Sequence, residues 1–121
     1  MLRMSHRDFE LVVQEALETI PDDLQAAIEN VAVTVEDEPS DEDLLSVGLD
    51  PEYDTLLGLY QGIPLPEREP SNYMSLPDRI FVYRLPLLEA CSSRRELLRE
   101  IRDTVIHELG HYFGLPEEEL P

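Results

Sequence analysis

The sequence contains one cysteine, no lysine and no apolar run long enough to cross a membrane. Because Cys91 has no second cysteine to pair with, no disulfide can form within the chain, and a reducing compartment is expected. A membrane helix needs roughly 18 or more apolar residues, and no basic-then-apolar leader opens the chain. These absences predict a cytoplasmic protein without a membrane partner, in which Cys91 is a buried small apolar residue rather than a nucleophile.

Positive charge is also scarce. The chain has 27 acidic residues against nine arginines, which gives a formal net charge of −18. Nucleic-acid binding proteins neutralise phosphates with a basic surface, and this composition does not supply one. We therefore expect no nucleic-acid partner and a solvated acidic surface.

The order of apolar patterns predicts a single α+β domain over residues 1–121. This length and a hydrophobic content of 42% suffice for one core. Helical spacing and serine caps predict helices over 5–20, 21–28, 40–45 and 93–113, and a short helical turn is expected after Pro86. Runs rich in β-branched and other apolar residues predict strands over 31–36, 56–62 and 79–85. We expect Gly58 to mark a bulge in the second strand, and four prolines predict a long loop over 63–77.

Two of the three histidines lie in the sequence His107-Glu108-Leu109-Gly110-His111. On a helix, residues four apart share one face, so both imidazoles can reach a single ion. Glu108 is rotated by about 100° from His107, which suits a carboxylate that reaches a water on the metal. The apolar stripe of the same helix is centred roughly 140° from the two histidines. The pair therefore faces away from the core, as zinc ligands would.

A catalytic zinc site takes three protein ligands and keeps one position open. Gly114 lets the chain turn back after the helix, and Glu117 follows His111 by six residues. This spacing resembles the extended motif of metzincin-type zinc proteases, in which a histidine or aspartate is the third ligand. The glutamate is a departure from that motif, and its extra methylene leaves Glu118 and Glu119 as alternatives to Glu117.

Segments beyond the motif extend the resemblance over nearly the whole chain. They are an acidic N-terminal amphipathic helix, Asn30-Val31-Ala32-Val33-Thr34-Val35-Glu36-Asp37-Glu38-Pro39, Leu57-Gly58-Leu59-Tyr60-Gln61-Gly62-Ile63-Pro64-Leu65, Leu76-Pro77-Asp78-Arg79-Ile80 and Val105-Ile106-His107-Glu108. In this order they resemble the small bacterial zincin-like proteins, a family of minimal zinc metallopeptidases. The resemblance implies a compact zincin-like α+β fold, with a small twisted sheet of three to four strands, an N-terminal backing helix and a C-terminal active-site helix.

The resemblance also implies a zinc cofactor held by His107, His111 and Glu117, with Glu108 as the general base. The function expected from it is hydrolysis of peptide bonds in a peptide or protein substrate. We expect the substrate to lie extended along the strand at 56–62 and to add a strand to the sheet. Tyr60, Tyr73, Tyr83 and the arginines are the candidates for stabilising the oxyanion.

A second hypothesis is a zincin-fold protein that binds metal or a protein partner but cleaves little or nothing. It is favoured by the small size of the chain, by the glutamate at the third ligand, and by the lack of a methionine after the motif. A nuclease or deaminase ranks below both, because the charge is unfavourable and there is no Cys-x-x-Cys pair.

Overall fold

The helices and strands follow one another along the chain in the predicted order. The structure is a computed structural model that describes residues 1–63, 65–67 and 78–115. Its helices are α1 (His6–Glu18), α2 (Asp22–Glu29), α3 (Asp41–Ser46), α4 (Arg84–Ala90) and α5 (Arg94–Tyr112). Its strands are β1 (Ala32–Glu36), β2 (Gly58–Gln61) and β3 (Arg79–Tyr83), and Leu65–Glu67 form a 3₁₀ turn. The predicted α+β class is confirmed.

Three of the helices begin at the predicted serine caps. The hydroxyls of Ser5, Ser40 and Ser93 each accept a hydrogen bond from the backbone N–H three residues later. Each bond satisfies one of the amides that the first helical turn leaves without a partner. The cap at Ser93 fixes where α5 begins.

The sheet is mixed, in the order β1-β3-β2. Strand β1 runs parallel to β3, whereas β2 runs antiparallel to it. The register of β2 is continuous from Gly58, opposite Val82, to Gln61, opposite Arg79. The bulge predicted at Gly58 is therefore wrong. Strand β2 lies at an edge of this sheet, and no other strand within residues 1–63, 65–67 and 78–115 pairs with its outer side.

Strand β3 is two residues shorter than predicted because α4 begins at Arg84. Pro86 is the third residue of that helix. Proline is tolerated there because the amides of the first turn have no partner within the helix. The sequence pattern placed the helix after Pro86, and the structure places its start before it.

The main core lies between the sheet and the helices α1 and α5. Ile80 and Val82 of β3 are fully buried against this layer, and the other members are apolar residues of the surrounding elements, including Phe9, Val13, Leu97, Ile101, Val105 and Leu109. Helix α1 is thus the backing helix that the sequence predicted. Within the described residues, no helix is both long and apolar enough to span a membrane.

Candidate metal centre

Helix α5 places the imidazoles of His107 and His111 side by side. Their ring centroids are 5.4 Å apart. The His107 side chain is 29% exposed, whereas Leu109 and Val105 of the same helix are buried in the core. The two histidines therefore lie at the border between the core and solvent, where an ion and a substrate could both reach them.

The carboxylate of Glu108 lies between α5 and the edge strand β2. Its Oε1 accepts a hydrogen bond of 2.8 Å from the backbone N–H of Tyr60, and its Oε2 is 3.9 Å from Nε2 of His107. The side chain is only 10% exposed. One oxygen is thus held by the strand and the other is directed toward the histidines.

The donor atoms of these three side chains converge. One donor atom from each of His107, Glu108 and His111 lies within 4.8 Å of the other two. Two imidazole nitrogens with nearby carboxylate oxygens are a donor set typical of zinc, which prefers nitrogen, sulfur and carboxylate ligands. By its chemistry and spacing, the cluster fits a zinc ion.

Gly58 is the residue that lets α5 approach β2 closely. A Cβ atom at this position would lie 2.5 Å from Cγ2 of Thr104 and 2.9 Å from the carbonyl oxygen of Phe81. Only a glycine fits at these distances, so the glycine interpreted from the sequence as a bulge signal instead marks a close approach of two elements. Thr104 and Glu108 are buried at this contact, at 9% and 7% exposure.

A cleft of about 720 Å³ opens beside the three side chains. One wall is α5, with His107, Glu108 and His111, and the edge strand β2 forms the back. The opposite wall is apolar and comes from the segment after α3, through Val47 and Leu49. No signal in the sequence placed that segment at the site, because it lies far from the motif along the chain.

Four of the predicted site residues, Glu117, Glu118, Glu119 and Tyr73, lie outside the described residues. The roles predicted for them, as third zinc ligand and as oxyanion donor, therefore remain predictions. Tyr83 faces away from the histidines: it is buried, and its hydroxyl donates to Asp43 of α3.

Two further side chains are too deeply buried for the roles considered, Tyr60 as an oxyanion donor and Cys91 as a nucleophile. The hydroxyl oxygen of Tyr60 is inaccessible to solvent, although other atoms of the residue line the cleft. Cys91 is buried at 1% exposure. Burial raises the pKa of its thiol, and the nearby carboxylates of Glu96 and Glu100 raise it further. A neutral thiol is a poor nucleophile, which agrees with the structural role predicted for Cys91.

Comparison with known proteins adds a family and a fold. A family model described as zincin-like metallopeptidase matches residues 28–121. A solved structure described as a conserved hypothetical protein from Thermo thermophilus superposes with a TM-score of 0.59 at 25% sequence identity, covering 91% of this chain and 94% of that one. No curated protein matches the sequence.

Proposed function

Because the chain belongs to the zincin-like metallopeptidase family, we propose that it is a zinc-dependent peptidase that hydrolyses peptide bonds. The observation that carries this proposal is the convergence of His107, Glu108 and His111 at the wall of an open cleft. A structural role alone would not require two partly exposed imidazoles and a buried carboxylate to share one point.

In this proposal His107 and His111 are two of the zinc ligands, and Glu117 is the third. Gly114 supports the third assignment because its φ of +81° ends α5 there, three residues before Glu117. Held by these residues, zinc would supply a lower pKa for the attacking water and a polarised substrate carbonyl. The family membership and the donor chemistry both favour zinc over magnesium or calcium, which take oxygen ligands.

Glu108 is the general base in this proposal. Its Oε1 is held by the Tyr60 amide, and Oε2, which is directed toward the histidines, is the oxygen that takes a proton from the attacking water. The same oxygen then delivers that proton to the leaving amine. A carboxylate fixed in this way needs no reorientation during proton transfer, which is the advantage of a preorganised base.

The substrate is an extended peptide along the outer edge of β2. Because the Tyr83 N–H donates to the carbonyl of Leu57, the backbone N–H and C=O groups of the odd-numbered residues of β2 point toward β3, and those of Gly58 and Tyr60 point away from it. The Tyr60 N–H already donates to Glu108, so a peptide would pair beside this bond, through the outward backbone groups of Gly58. A peptide added there would make main-chain hydrogen bonds independent of its sequence. It would pass directly over Glu108 and the two histidines.

The test of the proposal is cleavage of a peptide library by the zinc-loaded chain. Glu108→Gln is expected to lose activity by about 10²- to 10⁴-fold, the range typical for a general base. Asp103→Asn is the matched control, because Asp103 is an exposed acid of the same helix. If wild type cleaves no better than Glu108→Gln, the chain is a metal-binding or partner-binding zincin-fold protein and not a peptidase.

The third ligand is tested separately by zinc affinity. Glu117→Ala is expected to weaken zinc binding by at least about tenfold. Glu118→Ala and Glu119→Ala are the controls and should leave the affinity unchanged. A larger loss of zinc affinity in either control would identify that residue as the third ligand.

A further inference from the structure

The wall of the cleft opposite α5 is made of apolar side chains. Val47 and Leu49 line it, together with Leu59 of β2, and Val47 is 45% exposed. Across the cleft, Leu115 at the end of α5 is 41% exposed. Partly exposed apolar side chains on both sides of one cleft indicate a surface that an apolar group covers.

The two helix ends that face the cleft have the same backbone structure. After α3, Gly48 has a φ of +80° and its N–H donates to the carbonyl of Leu45, while the Leu49 N–H donates to that of Leu44. After α5, Gly114 and Leu115 repeat these bonds with His111 and Gly110. This pair of bonds is the Schellman motif. In both helices the residue after the glycine is a leucine that lines the cleft.

The apolar wall is fixed to the sheet. Leu44 of α3 is buried at 3% exposure. Asp43 accepts hydrogen bonds from the Tyr83 hydroxyl and from the Gln61 side chain, each at 3.3 Å. These contacts hold α3, and thus Val47 and Leu49, against the face of the sheet that Leu59 and Phe81 share. The wall is therefore a fixed part of the cleft.

Strand geometry determines which side chains of a bound peptide would meet this wall. Side chains alternate between the two faces of a sheet, and residues directly opposite each other share a face. Gly58 faces α5, since a Cβ placed on it would meet Thr104, so Leu59 faces the other way. A peptide residue opposite Leu59 would therefore direct its side chain at Leu59, Val47 and Leu49.

We propose that Val47 and Leu49 determine specificity and that the chain selects peptides with a large apolar side chain opposite Leu59. The inference rests on the proposed function only in taking an extended peptide as the ligand of the β2 edge. Its substrates would be segments of unfolded or loosely folded proteins, because such side chains are buried in folded ones.

The test measures peptide binding without cleavage. A fluorescent nonapeptide set, in which one leucine is moved along a serine–glycine background, is titrated with zinc-loaded Glu108→Gln protein. We expect leucine at one position to raise the affinity about tenfold over serine. Adding Val47→Asp should remove that preference. Leu45→Asp is the matched control, because Leu45 is 63% exposed, lies two residues before Val47 and does not line the cleft.

The outcomes separate this inference from the proposed function. A leucine preference that survives Val47→Asp, or that is lost equally with Leu45→Asp, overturns the inference, as does the absence of any preference. Cleavage of the same peptides by wild type without a leucine preference also overturns the inference, but it supports the proposed peptidase activity. A leucine preference that depends on Val47, in a protein that cleaves no peptide, supports the inference and contradicts the proposed peptidase activity.

Discussion

The backbone amide of Tyr60 donates a hydrogen bond of 2.8 Å to the Glu108 carboxylate. This bond joins the edge strand, on which a peptide would lie, to the residue that would act on it. It also joins parts of the chain 48 residues apart. The position of the proposed base is therefore set by the packing of α5 on β2 and not by α5 alone.

The bond predicts a difference between two substitutions of Glu108. Glu108→Ala leaves the Tyr60 amide without this acceptor in a partly buried place, so the free energy of unfolding should fall by about 1–3 kcal/mol. Glu108→Gln retains an acceptor oxygen and should stay within about 1 kcal/mol of wild type. Urea unfolding of the metal-free proteins measures both values. Equal stabilities of the two variants would show that the bond contributes nothing.

Gly58→Ala is predicted to push α5 away from β2. The new Cβ would lie 2.5 Å from Cγ2 of Thr104, and overpacking of this kind costs about 1–3 kcal/mol. Thr104→Ser removes that methyl group, so the cost of Gly58→Ala should shrink in the Thr104→Ser background. A double-mutant cycle by urea unfolding measures this coupling.

Gly48→Ala is the control for that cycle. A Cβ there would meet nothing within 4 Å, but its φ of +80° makes the substitution strained. The cost, about 1 kcal/mol, should be the same with Thr104 or with serine at that position. If Gly58→Ala shows no more coupling to Thr104 than Gly48→Ala does, the close approach is not the reason for the glycine.

Tyr83 predicts a loss of stability at alkaline pH. Burial raises the pKa of its hydroxyl well above the usual value, and the charge of Asp43 raises it further. An unfolded tyrosine ionises near pH 10, while the folded one stays protonated. Its contribution is therefore complete below about pH 10 and is lost as the pH rises further.

Urea unfolding at about pH 9 and about pH 11, on either side of the unfolded pKa, tests this dependence. Wild type should lose more stability between the two values than Tyr83→Phe does. Tyr53→Phe is the matched control because Tyr53 is 80% exposed, and it should behave as wild type. The same decline in all three proteins would rule out Tyr83 as the cause.

Local signals in the sequence were enough to predict most elements and the histidine pair. The serine caps at Ser5, Ser40 and Ser93 start helices as expected, because capping depends only on residues within one turn. The family was likewise predicted from ordered segments and is confirmed by the match over residues 28–121.

Contacts between distant segments could not be predicted in the same way. The apolar wall of Val47 and Leu49, and the bond between Tyr60 and Glu108, depend on how α3, β2 and α5 pack in three dimensions. Gly58 did carry a signal, since a glycine inside a strand marks either a bulge or a close approach. Choosing between the two required knowing that Thr104 lies against it.

His107 and His111 are expected to hold a zinc ion, and bound zinc per chain measures this most directly. After dialysis at about pH 7, wild type should retain one zinc per chain. His107→Ala with His111→Ala should retain none. His6→Ala, which removes the third histidine, at an exposed ion pair with Glu10, should still retain one. No stoichiometric zinc in wild type, or equal zinc in the double variant, would contradict the account.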